Sequence, residues 1–217
     1  VVYVLRQMCH SLSEAESCGL VHRDIKPANI FLCRYGEDHD FVKVLDFGLV
    51  KFDAQREIER TLLGGAHATA GTPAFMAPEL IAEGEVDSRA DVYSLGCVAY
   101  YLLTGQFVFD AESAMKMFVH HLQTDPIPPS QRTELPIPAD LDALVMACLS
   151  KDPERRPRNA EEVRFLLDGL RGAGRWGNER ARDWWQTHLP ELAGPLATEE
   201  PIEVLAATPA LAGFYGR

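Results

Sequence analysis

Residues 22–29 read His22-Arg23-Asp24-Ile25-Lys26-Pro27-Ala28-Asn29, a segment in which an acid, a cation and an amide lie within a few positions of one another. Two further runs follow along the chain, first Asp46-Phe47-Gly48 and then Ala77-Pro78-Glu79. A single run of this kind is as easily a surface charge cluster as a site. All three in this order make chance a poor explanation, so we interpret them as parts of one functional site.

The three runs resemble, in order, the signature motifs of the eukaryotic-type protein kinases. Lys26, two positions after Asp24, and the pair Gly71-Thr72 ahead of the third run are similar to the serine/threonine branch of that family. The resemblance covers roughly residues 1–170. It implies a mainly α, α+β protein-kinase fold, of which this chain carries the large C-terminal lobe, with helices and short β-hairpins near the N-terminus.

The resemblance also implies ATP-dependent transfer of the γ-phosphate to serine or threonine hydroxyls of a protein substrate. Asp24 is then expected to accept the proton of the hydroxyl, and Lys26 to meet the γ-phosphate. Asn29, counted with them as catalytic, and Asp46 supply oxygen ligands suited to Mg²⁺, with Mn²⁺ as a possible substitute. Phe31 matches the position under the adenine ring, so Lys26, Phe31 and Asp46 form the expected ATP-binding set.

Other positions match structural residues of the family. His22 and Phe47 match an apolar stack that forms when the site is assembled, and Gly48 completes the second motif. Asp91 resembles an aspartate that hydrogen-bonds the backbone of the catalytic loop. The same Asp91 is also placed like an N-cap for a helix over 92–103, and both roles stay open.

A long-range ion pair is also implied. Glu79, the last residue of the third run, is expected to contact Arg156, as the matching residues of the family do. The adjacent Arg155 leaves open an alternative, in which Arg156 belongs to a solvated charge cluster.

The segment between Gly48 and the third run contains the candidates for regulation. Thr61 and Thr69 are candidate phosphorylation sites, and Arg23 offers a guanidinium partner for a phosphothreonine. Thr72 is closer to a position that contacts Asp24 and Lys26 in the family, so we interpret Thr72 as structural.

Composition argues against several classes of partner. Lys+Arg 21 against Asp+Glu 32 gives a net charge of −11, which disfavours nucleic acid and anionic membrane surfaces. The five cysteines are scattered without a C-x-x-C pair, which disfavours a zinc site and a disulfide framework and favours a reducing, cytoplasmic compartment. No apolar run in this chain is long enough to span a bilayer, although the parent protein can be anchored elsewhere.

Apolar periodicity predicts several helices and one pair of strand-prone runs. The helices are predicted over 1–15, 92–103, 111–123, 141–149 and 160–170, and the strands over 30–32 and 41–45. The kinase lobe is assigned to residues 1–171. Residues 172–217 contain three tryptophans and an Ala/Pro-rich tail without an evident core, and we predict a linker or tail there.

A kinase also needs a Gly-rich loop and a strand lysine upstream of the catalytic loop. Residues 1–21 contain neither and read as one helix, so the chain is expected to be a fragment that lacks the N-terminal lobe of its parent and is inactive or weakly active alone. Two interpretations follow: the lobe of an active kinase, or a pseudokinase or scaffold lobe that binds partners without catalysis. Retention of Asp24, Lys26, Asn29 and Asp46 favours the first, because a scaffold has no chemical need of them.

Overall fold

The structure is a computed structural model that describes residues 1–47, 73–82, 84–170 and 176–193. The helices are α1 (Val2–Ser17), α2 (Pro78–Ile81), α3 (Arg89–Thr104), α4 (Ala114–Gln123), α5 (Ala139–Cys148), α6 (Ala160–Asp168), α7 (Asn178–His188) and α8 (Pro190–Ala193). The strands are β1 (Ile30–Tyr35) and β2 (Asp38–Val44). The mainly helical architecture that the sequence predicts is confirmed. Within the described ranges no helix is both long and apolar enough to cross a membrane.

The two strands form one antiparallel hairpin, with Ile30 opposite Val44 and Leu32 opposite Val42. The sequence predicts hairpins in the plural, and in the described residues there is one, because the two strand-prone runs pair with each other. Gly36 lies in the turn with a φ of 59°, a left-handed conformation that glycine adopts without steric cost. The hairpin begins directly after Asn29, so it continues from residues 22–29, the predicted catalytic segment.

Helix α1 buries one face against α6 and β2. Its buried residues recur at helical spacing and are Val4, Leu5, Met8, Cys9 and Leu12. The chain leaves this helix through Gly19, which has a φ of 74°. The helix predicted over 1–15 is therefore confirmed, and it ends two residues later, at Ser17.

Helix α3 is the central helix of the lobe, since every residue from 90 to 100 is buried. It ends at Thr104, and Gly105, with a φ of 70°, forms its left-handed C-cap. It begins at Arg89, so the prediction that Asp91 caps the helix is wrong: Asp91 lies inside the first turn. The Asp91 carboxylate instead accepts hydrogen bonds from the backbone N–H groups of His22 and Arg23.

The segment after residue 171 differs from the linker expectation. Helix α7 packs on β2, and its Trp185 is 2% exposed. The absence of a run of aliphatic residues hides this packing in the sequence, because the helix buries Ala181 and Trp185 on an otherwise polar surface. The prediction that this segment lacks a packed core is therefore wrong for residues 178–188, while residues 194–217 lie outside the described part of the chain.

Candidate active site

The carboxylate of Asp91 holds the backbone of the catalytic segment in place. Its Oδ2 accepts a hydrogen bond of 2.7 Å from the His22 N–H, and its Oδ1 accepts one of 2.7 Å from the Arg23 N–H. Arg23 has a φ of 66°, in the left-handed region that costs a non-glycine residue about 1–2 kcal/mol. Two charge-assisted bonds from a buried helix offset that cost. The contact that the resemblance implies for Asp91 is therefore present.

His22 joins the catalytic segment to the residues before Asp46. The Asp24 N–H donates to His22 Nδ1 at 3.3 Å, so Nε2 carries the ring proton and donates to the Leu45 carbonyl at 2.8 Å. The imidazole is 1% exposed, and its centroid lies 4.8 Å from that of the Phe47 ring. The expected His22–Phe47 stack is thus present, and the hydrogen bond to Leu45 adds a link that the motifs did not indicate.

Asp24, Lys26 and Asn29 meet in one cluster. The Lys26 ammonium lies 2.7 Å from Asp24 Oδ2, and the Asn29 Nδ2–H donates to the same oxygen at 3.0 Å and to the Asp24 carbonyl at 2.8 Å. Asn29 is buried, whereas the side chains of Lys26 and Asp24 are 19% and 31% exposed. Lys26 and Asn29 therefore hold Oδ2 of Asp24 in a fixed direction, while the Asp24 side chain stays partly exposed.

Asp46 lies next to this cluster through the backbone. The Leu45 N–H donates to the Asn29 carbonyl at 2.9 Å, and Asp46 follows at once with a φ of 60° and an exposed side chain. Because the Asn29 amide nitrogen faces Asp24, its Oδ1 is the atom left to bind a cation. Two oxygen ligands of this kind fit Mg²⁺ bound together with substrate phosphates. In the described ranges no group of three or more His, Cys, Asp or Glu side chains is placed to hold a metal by itself.

Phe31 lies on β1, opposite Lys43, and is half-buried. Phe31 follows Asn29 by two residues, and its strand pairs with β2, the strand that precedes Asp46. A flat apolar side chain there suits contact with an aromatic base. The role under an adenine ring stays a prediction.

The predicted contact between Glu79 and Arg156 is confirmed. Arg156 Nη1 donates to Glu79 Oε1 at 2.6 Å, and Arg156 Nη2 donates to Glu79 Oε2 at 2.9 Å. The side chain of Arg156 is 0% exposed and that of Glu79 is 10% exposed. The remaining donors of the guanidinium reach the carbonyls of Ser150, Arg89 and Lys151. The alternative of a solvated charge cluster is therefore wrong for Arg156, because its neighbours satisfy all five N–H groups.

A second buried network links α3 to α4. Lys151 donates to the Tyr93 hydroxyl at 3.2 Å, and Tyr93 in turn donates to His121 Nδ1 at 2.8 Å. Burial, with a further contribution from the charge of Lys151, lowers the pKa of His121 to about 3, so its imidazole is neutral near pH 7. Burial also lowers the pKa of Lys151 to about 8. No sequence motif marks this network, since its three members are far apart along the chain.

Several predicted residues lie outside the described part of the chain: Gly48, Thr61, Thr69 and Thr72. The residue expected to meet a phosphothreonine, Arg23, is described, and its buried Nε has no hydrogen-bond partner among the described residues. A guanidinium with an unused donor is suited to an added anion. That role stays a prediction.

Comparison with known proteins bears on the same residues. Residues 1–164 match the family model described as the protein kinase domain, which is well over half of the chain. The chain belongs to the protein kinase family. The catalytic cluster, Asp46, the Glu79–Arg156 pair and the Asp91 contact to the catalytic loop all lie within the matched kinase region.

Bacterial serine/threonine-protein kinases are among the relatives of this kinase chain. It is 40% identical to the serine/threonine-protein kinase PknB of Mycobacterium leprae over 166 residues, which cover 76% of this chain and 25% of PknB. It is 44% identical to the serine/threonine-protein kinase Pkn1 of Myxococcus xanthus over 167 residues, covering 77% of this chain and 23% of Pkn1. The chain therefore spans about a quarter of the length of these curated relatives.

A solved structure supports the fold. The kinase domain of Mycobacterium tuberculosis PknI, crystallised as a double mutant, is similar with a TM-score of 0.54 at 24% sequence identity. The likeness covers 77% of this chain and 52% of the PknI chain. At this identity the similarity shows the kinase fold alone.

Proposed function

We propose that the protein is an ATP-dependent serine/threonine protein kinase in which Asp24, Lys26, Asn29 and Asp46 carry the chemistry. The observation behind this proposal is the cluster around Asp24 Oδ2, which lies 2.7 Å from the Lys26 ammonium and 3.0 Å from the Asn29 amide. A carboxylate held in this way presents its other oxygen in a fixed direction. Phosphoryl transfer asks a protein for positioning and charge neutralisation, and this cluster supplies both.

In the proposed reaction the hydroxyl oxygen of a serine or threonine forms a bond to the γ-phosphorus of ATP. The bond from that phosphorus to the oxygen bridging the β-phosphate breaks, and ADP leaves with the electron pair. Asp24 orients the hydroxyl and accepts its proton, so the attacking oxygen carries no positive charge once it is bonded to phosphorus. Lys26 is 2 positions along the same loop and offsets the negative charge of the γ-phosphoryl oxygens.

Mg²⁺ bound with ATP would neutralise charge on the phosphates, and Asn29 Oδ1 and the Asp46 carboxylate are the atoms we propose to hold it. Mn²⁺ prefers the same oxygen ligands and is a plausible substitute. Phe31 would contact the adenine ring. The hydrogen bond between Leu45 N–H and the Asn29 carbonyl, at 2.9 Å, keeps the two ligand positions together.

We further propose that Arg23 binds a phosphate on Thr61 or Thr69 and so orders the segment that follows Gly48, with Thr72 in a structural role near Asp24. In the full-length protein, Thr61→Ala with Thr69→Ala should then lower phosphotransfer, and Arg23→Ala should lower it to the same level. Additive losses in the triple variant would contradict a shared role.

In the full-length protein we propose that an N-terminal lobe provides the Gly-rich loop and the strand lysine, and that this lobe is the partner of the surface around Phe31. We also propose a cytoplasmic active site, where ATP and reduced cysteines are available. Sequencing of the gene upstream of Val1 tests the first point. Protease protection of the active site in intact cells tests the second.

The decisive test compares two isosteric variants of the full-length protein. Asp24→Asn removes the proton acceptor and should abolish most phosphotransfer to a peptide while leaving Mg·ATP affinity nearly unchanged. Asp46→Asn should abolish phosphotransfer and also weaken metal-dependent ATP binding, because a charged ligand is lost. Full activity in Asp24→Asn would overturn the proposal. ATP-independent partner binding by an inactive wild-type protein would favour the scaffold interpretation instead.

A further inference from the structure

Asp40, on β2, has a buried carboxylate whose indole hydrogen-bond donors lie outside residues 1–164, the range that matches the protein kinase domain. It is 4% exposed, and its backbone has a φ of 53°. The Trp176 indole N–H donates to Oδ2 at 2.8 Å, and the Trp185 indole N–H donates to Oδ1 at 2.8 Å. Both tryptophans follow residue 164, where the family match ends. A buried carboxylate needs such donors because burying an unpaired charge is costly.

The start of α7 holds the neighbouring turn of the hairpin. Asn178 Oδ1 accepts a hydrogen bond of 2.7 Å from the His39 N–H. Its Nδ2 donates to the Glu37 carbonyl at 3.1 Å and to Asp38 Oδ1 at 3.2 Å. We call Trp176, Asn178 and Trp185 the Trp clamp. Its three side chains bind four consecutive residues, 37–40, at the beginning of β2.

The other edge of β2 is held by α1. Gln7 Nε2 donates to the Asp40 carbonyl at 2.8 Å, and Gln7 Oε1 accepts from the Val42 N–H at 3.1 Å. One amide side chain thus satisfies two backbone groups that a third strand would otherwise pair. Strand β2 is therefore fixed along its length by β1 and α1, and at Asp40 by the Trp clamp.

This strand leads directly to the proposed metal ligands. Strand β1 begins one residue after Asn29, and β2 ends at Val44, two residues before Asp46. The hairpin is the covalent path between these two ligands. A shift of β2 along β1 would displace Asp46 relative to Asn29 and stretch the 2.9 Å bond between Leu45 N–H and the Asn29 carbonyl.

We propose that Asp40, Trp176 and Trp185 are positioning residues, and that the Trp clamp fixes β2 so that Asp46 stays beside Asn29 in the geometry that Mg·ATP requires. The consequence for catalysis rests on the proposed kinase function, whereas the clamping of β2 does not. Residues 176–188 then belong to the part of the kinase lobe that positions Asp46. Supporting residues around a metal site are worth about 10–100-fold in metal affinity in other proteins.

The test uses the full-length protein with Trp176→Phe, Trp185→Phe and Asp40→Asn, at a temperature where circular dichroism shows every variant folded. The two Trp→Phe variants each remove an indole N–H together with part of the ring, and Asp40→Asn turns one acceptor oxygen into a donor at nearly constant volume. We expect the Mg²⁺ concentration for half-maximal activity to rise about 10-fold, with kcat at saturating Mg²⁺ nearly unchanged. Hydrogen exchange should speed up in residues 38–47 and stay unchanged in 89–104.

A double variant tests whether the residues act as one unit. In Asp40→Asn with Trp185→Phe, the NH2 of the introduced amide can take the side from which the Trp185 N–H is removed, while its oxygen still accepts from the Trp176 N–H. The shift in Mg²⁺ dependence should therefore be smaller than the product of the two single effects. Trp184→Phe is the matched control on the same helix, since this ring stacks on His188 with centroids 4.6 Å apart, and it should leave every readout unchanged.

The outcomes separate this proposal from the kinase function. If the wild-type protein transfers no phosphate, the kinase function fails, and hydrogen exchange with Mg²⁺-dependent ATP binding still tests the clamp. Faster exchange confined to 38–47, together with weaker metal-dependent binding, supports the proposal. Variants that melt at a lower temperature but keep the wild-type Mg²⁺ dependence and the wild-type hydrogen exchange in 38–47 overturn it. A double variant whose shift in Mg²⁺ dependence equals the product of the two single shifts also overturns it.

Discussion

At the scale of single residues, Arg156 joins the C-terminal end of the lobe to Glu79 and to the start of α3. The Arg156 side chain is fully buried, and its guanidinium carbon lies 4.9 Å from the centroid of the Tyr93 ring. We expect Arg156→Met to lower the unfolding free energy by about 3–5 kcal/mol, because it leaves the Glu79 carboxylate buried without its cation. Denaturant unfolding measures this change.

The adjacent Arg155 is a matched control for that prediction. Arg155 is exposed, so Arg155→Met should change the unfolding free energy by less than about 0.5 kcal/mol. Equal losses in the two variants would contradict the distinction between the buried and the solvated arginine. The double variant Glu79→Gln with Arg156→Met should be less destabilised than the two single losses added together, because no unpaired charge remains.

His121 predicts how stability depends on acid. Its pKa is lowered from 6.5 to about 3 in the fold, mainly by burial, so between these values the unfolded chain binds a proton that the folded chain does not. Stability therefore falls as the pH drops through this window, by up to about 1.4 kcal/mol per pH unit from this group. In His121→Gln, which keeps an acceptor for Tyr93, the slope of unfolding free energy against pH should be shallower by that amount.

Chemical unfolding of the wild-type protein and of His121→Gln at a series of pH values between 6.5 and 4 measures the two slopes. Equal slopes in the two proteins would show that His121 takes up its proton in the folded state as readily as in the unfolded chain.

At the scale of elements, the contact between α3 and α5 depends on Gly96. A Cβ added there would lie 2.8 Å from Cys148 Cβ and 3.3 Å from Leu149 Cδ2, so the helices would have to move apart. Gly96→Ala should lower the unfolding free energy by about 1–3 kcal/mol through overpacking, despite the higher helix propensity of alanine. Thermal and denaturant unfolding report the change.

Gly169, just after α6, is the matched glycine for that measurement. A Cβ at Gly169 would meet the Leu166 carbonyl at 3.5 Å, an ordinary van der Waals contact. Gly169→Ala should therefore be neutral or slightly stabilising. A loss in Gly169→Ala as large as that in Gly96→Ala would argue that glycine flexibility, and not the approach of the two helices, sets the cost.

At the scale of the whole molecule, the 217 residues contain the proposed base and metal ligands but neither a Gly-rich loop nor a strand lysine before the catalytic segment. We expect the 217-residue chain to transfer phosphate at least about 100-fold more slowly than the full-length protein, since part of the phosphate cradle is lost. Peptide phosphorylation at saturating Mg·ATP measures this, with full-length Asp24→Asn as the inactive reference. Comparable turnover by the short chain would contradict the requirement for the second lobe.

The clustering of the proposed catalytic residues was predictable from sequence, because phosphoryl transfer restricts residue type and spacing within one short loop. Asp24, Lys26 and Asn29 fall within six positions, so local backbone geometry brings them together in any chain that adopts this loop. The resemblance also predicts the contact between Glu79 and Arg156, 77 positions apart, and the structure contains it. The boundary of α3 was misjudged because an aspartate near a helix start has the same residue pattern whether it caps the helix or faces another loop.

The Trp clamp and the Tyr93–His121–Lys151 network came only from the tertiary structure. Their members are polar or aromatic residues whose partners lie tens of positions away, from 28 for Tyr93–His121 to 145 for Asp40–Trp185. No local period marks such contacts, because they exist only after helices and hairpin have packed. The sequence by itself determined which residues form the proposed catalytic loop and the helical class of the lobe. The packed fold decided which buried charges are paired and that residues 178–188 belong to the folded lobe.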